Sequence, residues 1–138
     1  MNRSMKAETL SITGCGRGFR RNLSLLGLKI KKESSDADIA IIGENAAEKA
    51  AVKALMVFIP DSIVNSNIIS CVSAVSAGMG PKATLSFSSI GDETAVLSVN
   101  REVDFFGNII CPCEIRVNFI KSLSVYENMV YGFLTHFI

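Results

Sequence analysis

The sequence has few of the residues on which hydrolytic enzymes depend. It contains one histidine, His136, and no tryptophan among its 138 residues. Three closely spaced serines are candidate nucleophiles: Ser86, Ser88 and Ser89. A serine nucleophile needs a base positioned beside it, and His136 falls one step from the apolar face of a predicted helix. No complete set of acid, base and nucleophile is visible, so the sequence leans against an enzyme without closing the question.

Cysteine is also scarce, and its spacing argues against a metal centre. The four cysteines are Cys15, Cys71, Cys111 and Cys113. Paired metal-binding cysteines are normally separated by two or more residues, whereas only Pro112 separates Cys111 from Cys113. We expect reduced, buried thiols and no metal, and the sequence leaves a redox role for this pair open.

Long apolar runs are absent. No stretch approaches the roughly 18 uncharged apolar residues of a membrane span, and the opening MNRSMKAETL lacks the apolar middle of a secretory signal. We therefore expect a cytoplasmic protein with no membrane span. Apolar residues nevertheless make up 49% of the chain, and the mean hydropathy is +0.36. This value is high for a small soluble monomer and suggests a subunit interface.

Charge is divided unevenly, although the net charge is only +1. Residues 1–33 carry eight lysines and arginines against two glutamates, a balance of +6, and the remainder carries six against eleven, a balance of −5. Solvated surface charge is the favoured explanation, and a basic patch that faces an anion is the alternative. The isoelectric point of 7.6 is far below that of a typical nucleic-acid-binding domain, so we expect no nucleic-acid partner.

The first half of the chain has the pattern of an α/β protein. Short apolar or alternating runs predict four strands, at residues 9–13, 28–33, 37–43 and 55–60. Apolar residues recur at helical spacing after Gly14, and the alanine-rich AAEKAAVKA, capped by Asn45, predicts a helix over 46–54. Strands joined by helices indicate a parallel, Rossmann-like half over about residues 9–60.

Beyond residue 66 the pattern changes to short alternating runs separated by tight turns. These runs predict an antiparallel meander over about 67–120, with Pro112 at an edge or a bulge. Residues 121–138 are apolar around most of a helical circumference and predict a terminal helix. We expect one α/β domain over 1–138, of two or three layers, closed by this helix. The apolar surface of the helix is a candidate homodimer interface.

A glycine-rich loop, GCGRG at 14–18, follows the first predicted strand. Glycines permit a sharp turn and close backbone approach, and the helix that follows presents free N–H groups to an anion. A structural turn is the favoured interpretation of this loop. Phosphate binding is one alternative, and the other is a different anion site that uses Arg17, Arg20 or Arg21.

Residues 9–42 resemble the dinucleotide-binding Rossmann fingerprint, and GCGR resembles the opening of nucleotide-sensing regulator domains of ion-uptake systems. The resemblance implies that Gly14 and Gly16 line a pyrophosphate. It also implies that Glu33, about 20 residues farther on, contacts a ribose. Phe19 stands where the fingerprint has its third glycine.

A second glycine-containing loop, SAGMGPK at 76–82, differs from a P-loop because Pro81 separates Gly80 from Lys82 and a strand follows. The sequence predicts a binding module for a nucleotide or another phosphate-bearing small molecule, with no identified cofactor. The candidate ligand-binding residues are Gly14, Gly16, Arg17, Gly18, Arg20, Glu33 and Lys82. The alternative is a homo-oligomeric structural or interaction protein that has neither ligand nor catalysis.

Overall fold

Ten strands and two α-helices make up the regular structure of the part of the chain that the computed structural model describes, residues 7–32, 36–45, 52–63 and 69–138. The strands are β1 (Thr9–Thr13), β2 (Lys29–Ile30), β3 (Ala37–Ile42), β4 (Val52–Pro60), β5 (Ile69–Ala77), β6 (Leu85–Ile90), β7 (Thr94–Val99), β8 (Val103–Phe105), β9 (Asn108–Ile110) and β10 (Cys113–Asn118). The helices are α1 (Arg17–Leu23) and α2 (Val125–Phe137), and short 3₁₀ turns cover Ser24–Leu26 and Asp61–Ile63.

Eight of the described strands form a single sheet in the order β10–β7–β6–β5–β4–β3–β1–β2, and β8 pairs with β9 in a separate hairpin. All neighbouring strands from β2 to β6 are parallel, whereas β6–β7 and β7–β10 are antiparallel. The fold is therefore mixed α/β with one large, mostly parallel sheet. The two halves predicted from the sequence share this sheet.

Both helices pack into the same apolar cluster on one face of the sheet. Phe19 and Leu23 of α1 and Met129 and Phe133 of α2 have no exposed surface in this cluster. Alternate strand residues complete it, because successive side chains of a strand point to opposite faces. Each such side chain contributes about 1.5–3 kcal/mol relative to an exposed one, so this cluster is the main source of stability.

Several predicted elements are confirmed. β1 and β3 lie where the sequence predicts strands, and α1 follows the glycine loop. Gly27 ends the 3₁₀ turn after α1 with φ of 80°, a conformation that glycine adopts without strain. The terminal helix begins at a capping box, in which Ser124 accepts a hydrogen bond from the Glu127 backbone N–H and Glu127 caps the Ser124 N–H.

Three predictions differ from the structure. The predicted strand 28–33 is reduced to Lys29–Ile30, because this edge strand pairs on one side only, with Thr9 and Leu10 of β1. The predicted helix 46–54 cannot extend to residue 54, because Val52 already begins β4; residues 46–51 lie outside the described residues. The predicted antiparallel region does not begin at 67, because β5 lies parallel to β4. Burial alternates along β5: Val75 is buried and Ala74 is exposed. Burial of one face only is typical of antiparallel strands, and this explains why the sequence of β5 resembles one.

Candidate anion-binding cleft

A shallow, open cleft of about 500 Å³ lies between α1 and the edge strand β2. Its surface is dominated by positively charged side chains from α1 and from the residues that follow β2. We call it the basic cleft and define it by its lining residues, Arg17, Arg20, Arg21, Ser24, Ile30, Lys31 and Lys32. The structure thus brings two of the predicted ligand residues, Arg17 and Arg20, together with Arg21, which the sequence named with them as an alternative anion site, and with Lys31 and Lys32, which it did not single out.

Helical spacing directs the arginines of α1 toward the cleft. Phe19 and Leu23 are buried against the sheet, so the exposed Arg17, Arg20 and Arg21 project from the other side of this short helix. The chain then reverses at Gly27 and returns as β2 alongside β1. These turns leave both walls of the cleft basic.

Two hydrogen bonds fix the returning chain against its neighbours. The Lys31 backbone N–H donates to the Leu10 carbonyl at 2.8 Å. The Arg20 guanidinium donates to the Lys31 carbonyl at 3.4 Å, which links α1 directly to the chain that leaves β2. Both cationic walls of the cleft are therefore attached to each other and to the sheet.

The electrostatics of the cleft favour an anion. Five of its seven lining residues are cationic, and no carboxylate is among them in the described part of the chain. An anion that enters the cleft relieves the mutual repulsion of these side chains. Arginine presents a planar fork of N–H donors that matches carboxylate and phosphate oxygens, and lysine adds a compact positive charge.

The glycine loop 14–18 is held differently, by contacts within the protein. The Gly16 backbone N–H donates to Glu127 Oε2 at 3.0 Å, while Glu127 Oε1 accepts from the Ser124 N–H at 3.0 Å. A carboxylate of α2 therefore lies at the start of α1, in the position where the sequence suggested an external anion. Gly14 has φ of 75°, which supplies the left-handed turn between β1 and this contact.

The loop also packs closely against the end of β3. The Gly43 N–H donates to the Thr13 carbonyl at 2.7 Å, and the Asn45 N–H donates to the Gly14 carbonyl at 3.2 Å. A Cβ atom on Gly43 would collide with the Gly14 carbonyl and approach Cys15 Sγ to 2.6 Å. Gly43 is therefore a site of close backbone approach that leaves no room for a side chain.

Tyr126 joins α2 to the same region. Its buried hydroxyl donates to the Ile42 carbonyl at 2.6 Å. Burial raises the pKa of Tyr126 well above its ordinary value of 10.0, and the charges of Cys15, Glu44 and Glu127 raise it further. The hydroxyl is therefore a neutral hydrogen-bond donor that ties the first turn of α2 to the end of β3.

The remaining predicted ligand residues do not join the basic cleft. Lys82 is exposed on the loop between β5 and β6, at the carboxyl end of β5. β5 lies three strand positions from β1, about 14 Å at the usual strand spacing. In that loop the Gly80 N–H donates to the Asp61 carboxylate at 2.9 Å. Glu33 lies outside the described residues.

The cysteines and the histidine form no metal centre among the described residues, where no group of three or more His, Cys, Asp or Glu side chains could hold an ion. Cys111 and Cys113 are free and exposed, and Cys15 is half-buried. The expectation of buried thiols is therefore wrong for Cys111 and Cys113, because they flank Pro112 between β9 and the edge strand β10. His136 is exposed, with its ring against Phe137.

Sequence reasoning missed the residues that organise this region. The Ser124-x-x-Glu127 spacing is a capping-box pattern visible in the sequence, but it does not reveal that Glu127 also binds Gly16, 111 residues earlier. Lys31 and Lys32 were visible as part of the positive N-terminal charge. Their placement opposite Arg17 and Arg20 depends on the reversal of the chain between α1 and β2.

No helix in the described part of the chain is both long enough and apolar enough to cross a membrane. Comparison with known proteins gave no match to a protein-family model, to a curated protein or to a solved structure. The chemistry of the basic cleft is therefore the basis of the function proposed below.

Proposed function

We propose that the chain is a binding module for a phosphate-bearing small molecule, which it holds in the basic cleft. The observation that carries this proposal is the convergence of five cationic side chains on one concave surface with no carboxylate among its lining residues in the described part of the chain. Arg17, Arg20 and Arg21 would supply N–H donors from α1. Lys31 and Lys32 would add positive charge from the opposite wall.

Phosphate fits this chemistry better than a single carboxylate does. A phosphate group has several acceptor oxygens and up to two negative charges, so it can engage more than one arginine fork together with a lysine. One arginine already satisfies a carboxylate in a bidentate pair. The cleft volume of about 500 Å³ lies within the roughly 300–1,000 Å³ range of small-molecule sites. Nucleotides and sugar phosphates are both members of this class.

The topology singles out a position beside the basic cleft rather than the cleft itself. The order β2–β1–β3–β4–β5 is one of the common orders of doubly wound, Rossmann-like sheets, in which ligands bind beyond the carboxyl ends of the strands where the strand order reverses. In this sheet that position lies between β1 and β3, across β1 from the edge strand β2. There Gly43 and Asn45 bond to the carbonyls of residues 13 and 14, and Glu127 bonds to Gly16. Because Glu127 engages Gly16, we assign loop 14–18 the role of orienting α1 and assign the anion to the arginines.

The first test is a thermal-shift titration of the full chain with inorganic phosphate, pyrophosphate, nucleotides, dinucleotides and sugar phosphates. A ligand at about 100 times its dissociation constant stabilises the folded state by about 2.7 kcal/mol, which raises the Tm by several degrees. We expect at least one member of the panel to produce this shift. The double variant Arg17→Ala/Arg20→Ala should lose it while retaining the wild-type circular dichroism spectrum.

Lys82→Ala is the matched control, because Lys82 is an exposed cation at the carboxyl end of β5 and does not line the cleft. It should keep the full ligand-induced shift. An equal shift in the arginine double variant would remove the cleft from the proposal, and loss of the shift in Lys82→Ala would relocate the site to the β5–β6 loop. The absence of a shift with every anion would refute anion binding.

A further inference from the structure

β10 is an edge strand whose outward side is unpaired within the described part of the chain. It spans Cys113–Asn118 and pairs with β7 alone, while the preceding hairpin of β8 and β9 forms its own small sheet. An edge strand of this length is a template for pairing with another strand, and proteins commonly block such edges with lysine, proline or a bulge. An exposed proline, Pro112, stands just before β10, but within the strand the exposed charges are one of each sign, Glu114 and Arg116.

The alternation of hydrogen-bonded and non-bonded pairs between β10 and β7 identifies the β10 residues whose backbone groups face outward. The Phe119 N–H donates to the Glu93 carbonyl at 2.8 Å, just beyond the register pair Asn118↔Thr94. Bonded and non-bonded pairs alternate in antiparallel strands, so the backbone groups of residues 113, 115 and 117 face β7. Those of Glu114, Arg116 and Asn118 face the open edge.

Neither exposed charge has a charged partner across β7. The register places Glu114 opposite Ser98 and Arg116 opposite Val96. On the other face of the strand, Ile115 is half-buried and Val117 is buried next to Gly132 of α2. The open edge therefore offers backbone donors and acceptors, two opposite charges (Glu114 and Arg116) that have no charged residue opposite them on β7, and one partly exposed apolar side chain, Ile115.

We infer that β10 pairs with the β10 of a second copy of this chain, antiparallel and related by a two-fold axis at Ile115. Such an axis places Glu114 opposite the partner's Arg116 and Arg116 opposite the partner's Glu114. It also places Ile115 beside the partner's Ile115 at a non-bonded position, where Cα atoms are about 4.5 Å apart and side chains are closest. The two sheets become one continuous sheet.

Two features select this register: which residues of β10 direct their backbone N–H and C=O groups to the open edge, and the charges of their side chains. Outward-facing residues must pair with one another, so the axis passes through a residue; axes at residues 115 and 116 pair five residues of each strand, whereas axes at residues 114 and 117 pair only three. An axis at Glu114 would oppose two glutamates, and an axis at Arg116 would oppose two arginines, and like charges directly opposite each other destabilise strand pairing. The axis at Ile115 gives two opposite-charge pairs. Two-fold interfaces are self-complementary in this way, with the same surface on both subunits.

This inference is independent of anion binding and assigns the subunit interface to the sheet edge. The apolar face of α2 is already used within the chain, because Met129, Val130, Phe133 and Leu134 have no exposed surface. α2 crosses β10 where Gly132 meets Val117. The helix therefore supports the strand that carries the interface.

The test is the oligomeric state of the full chain, measured by sedimentation velocity over a concentration series. We expect a dimer in the wild type. Glu114→Arg and Arg116→Glu should each raise the dissociation constant about tenfold or more, because each substitution places like charges opposite in two symmetry-related pairs. The double variant Glu114→Arg/Arg116→Glu exchanges the charges, recreates opposite-charge pairs and should restore the wild-type constant.

Glu102→Arg, at an exposed glutamate outside β10, is the matched control and should leave the dissociation constant unchanged. A monomeric wild type would overturn the inference. A dimer that tolerates both single variants, or that the double variant fails to restore, would also overturn it. Circular dichroism checks that each variant is folded.

A cross-linking experiment tests the register directly. In a background with Cys111 and Cys113 replaced by serine, Ile115→Cys should form an inter-chain disulfide on oxidation, because the facing Cα atoms lie within disulfide range. Asn118→Cys should not, because its counterpart in the second copy is residue 112. Equal cross-linking of the two variants, or none at Ile115→Cys, would refute the proposed register.

Discussion

β2 and β10 are the two edges of the same sheet, and they differ in length, in charge and in the helix that supports them. β2 has two residues, and lysines occupy positions 29, 31 and 32 in and after it. β10 has six residues and alternates Glu114 and Arg116 with apolar side chains. An edge with charge of one sign repels its own copy and attracts anions, whereas an edge with both signs two residues apart complements its own copy.

α2 connects these two regions across one face of the sheet. Its first turn bonds to loop 14–18 through Glu127 and to the end of β3 through Tyr126. Its middle crosses β10, where Gly132 meets Val117. The chain therefore has a residue of the same type in each of the two regions. Comparing the same substitution in each region tests whether the two regions differ as described.

The largest difference in the free energy of unfolding is expected between two single variants, Gly43→Ala and Gly132→Ala. The Gly43 Cβ would meet backbone at Gly14, which cannot move without breaking the bonds between β1 and β3, so we expect a loss of about 3 kcal/mol in the free energy of unfolding. The Gly132 Cβ would meet only Val117 side-chain atoms, at 3.0–3.1 Å. Better helix propensity offsets that crowding, so the net change should stay within about 1 kcal/mol.

Urea unfolding followed by circular dichroism measures both values. Equal losses, or a larger loss in Gly132→Ala, would contradict the assignment of the tighter backbone approach to the β1–β3 end of the sheet.

A smaller, pH-dependent difference is expected between Tyr126→Phe and Tyr131→Phe. At neutral pH, Tyr126→Phe should lose about 1–2 kcal/mol, because it leaves the Ile42 carbonyl without its hydroxyl donor. The raised pKa of Tyr126 means that the folded state keeps its proton above pH 10.0, where the unfolded state releases it. This stabilisation is fully present below pH 10.0 and is lost as the pH rises through the folded-state pKa, by up to about 1.4 kcal/mol per pH unit.

Urea unfolding at several pH values from neutral to strongly alkaline checks this prediction. The wild type and Tyr131→Phe should share the alkaline decline, and Tyr126→Phe should show a shallower one. Identical pH profiles in all three proteins would remove the proposed role of the buried hydroxyl.

The smallest effects on stability are expected for Arg21→Glu and Arg116→Glu, one exposed arginine near each edge. Neither should change the free energy of unfolding of the monomer by more than about 0.5 kcal/mol. Arg21→Glu should weaken the phosphate-induced rise in Tm and leave the molecular mass in solution unchanged. Arg116→Glu should leave the phosphate-induced rise in Tm unchanged and lower the molecular mass in solution. If either variant alters both properties, the two edges are coupled, and the separation of their roles is wrong.

The hydrophobic and glycine patterns predicted much of the fold. The runs at 9–13 and 37–43 became β1 and β3, and the terminal segment became α2, because buried strands and amphipathic helices are encoded locally. The parallel pairing of β5 was not predictable in this way. Its alternating burial arises because the second face of the sheet is exposed at Ala74, a property of the tertiary structure.

The candidate site was predictable only in part. Arg17 and Arg20 were identified from their position after the glycine loop, and both line the basic cleft. The opposite wall, with Lys31 and Lys32, depends on how the chain reverses after α1. The role of Glu127 at Gly16 depends on a contact across 111 residues, which no local pattern encodes.

The bond between Gly16 and Glu127 also has a consequence for the order of folding. β1 and α1 are synthesised long before α2, and the Tyr126 contact with Ile42 likewise spans 84 residues. Until α2 has been synthesised, Gly16 lacks the carboxylate that accepts its N–H, and the apolar face of the sheet lacks the part of its cover that α2 supplies. Contacts of such long range slow folding, so a nascent chain that ends before Ser124 exposes the sheet face to chaperones and to other unfinished copies.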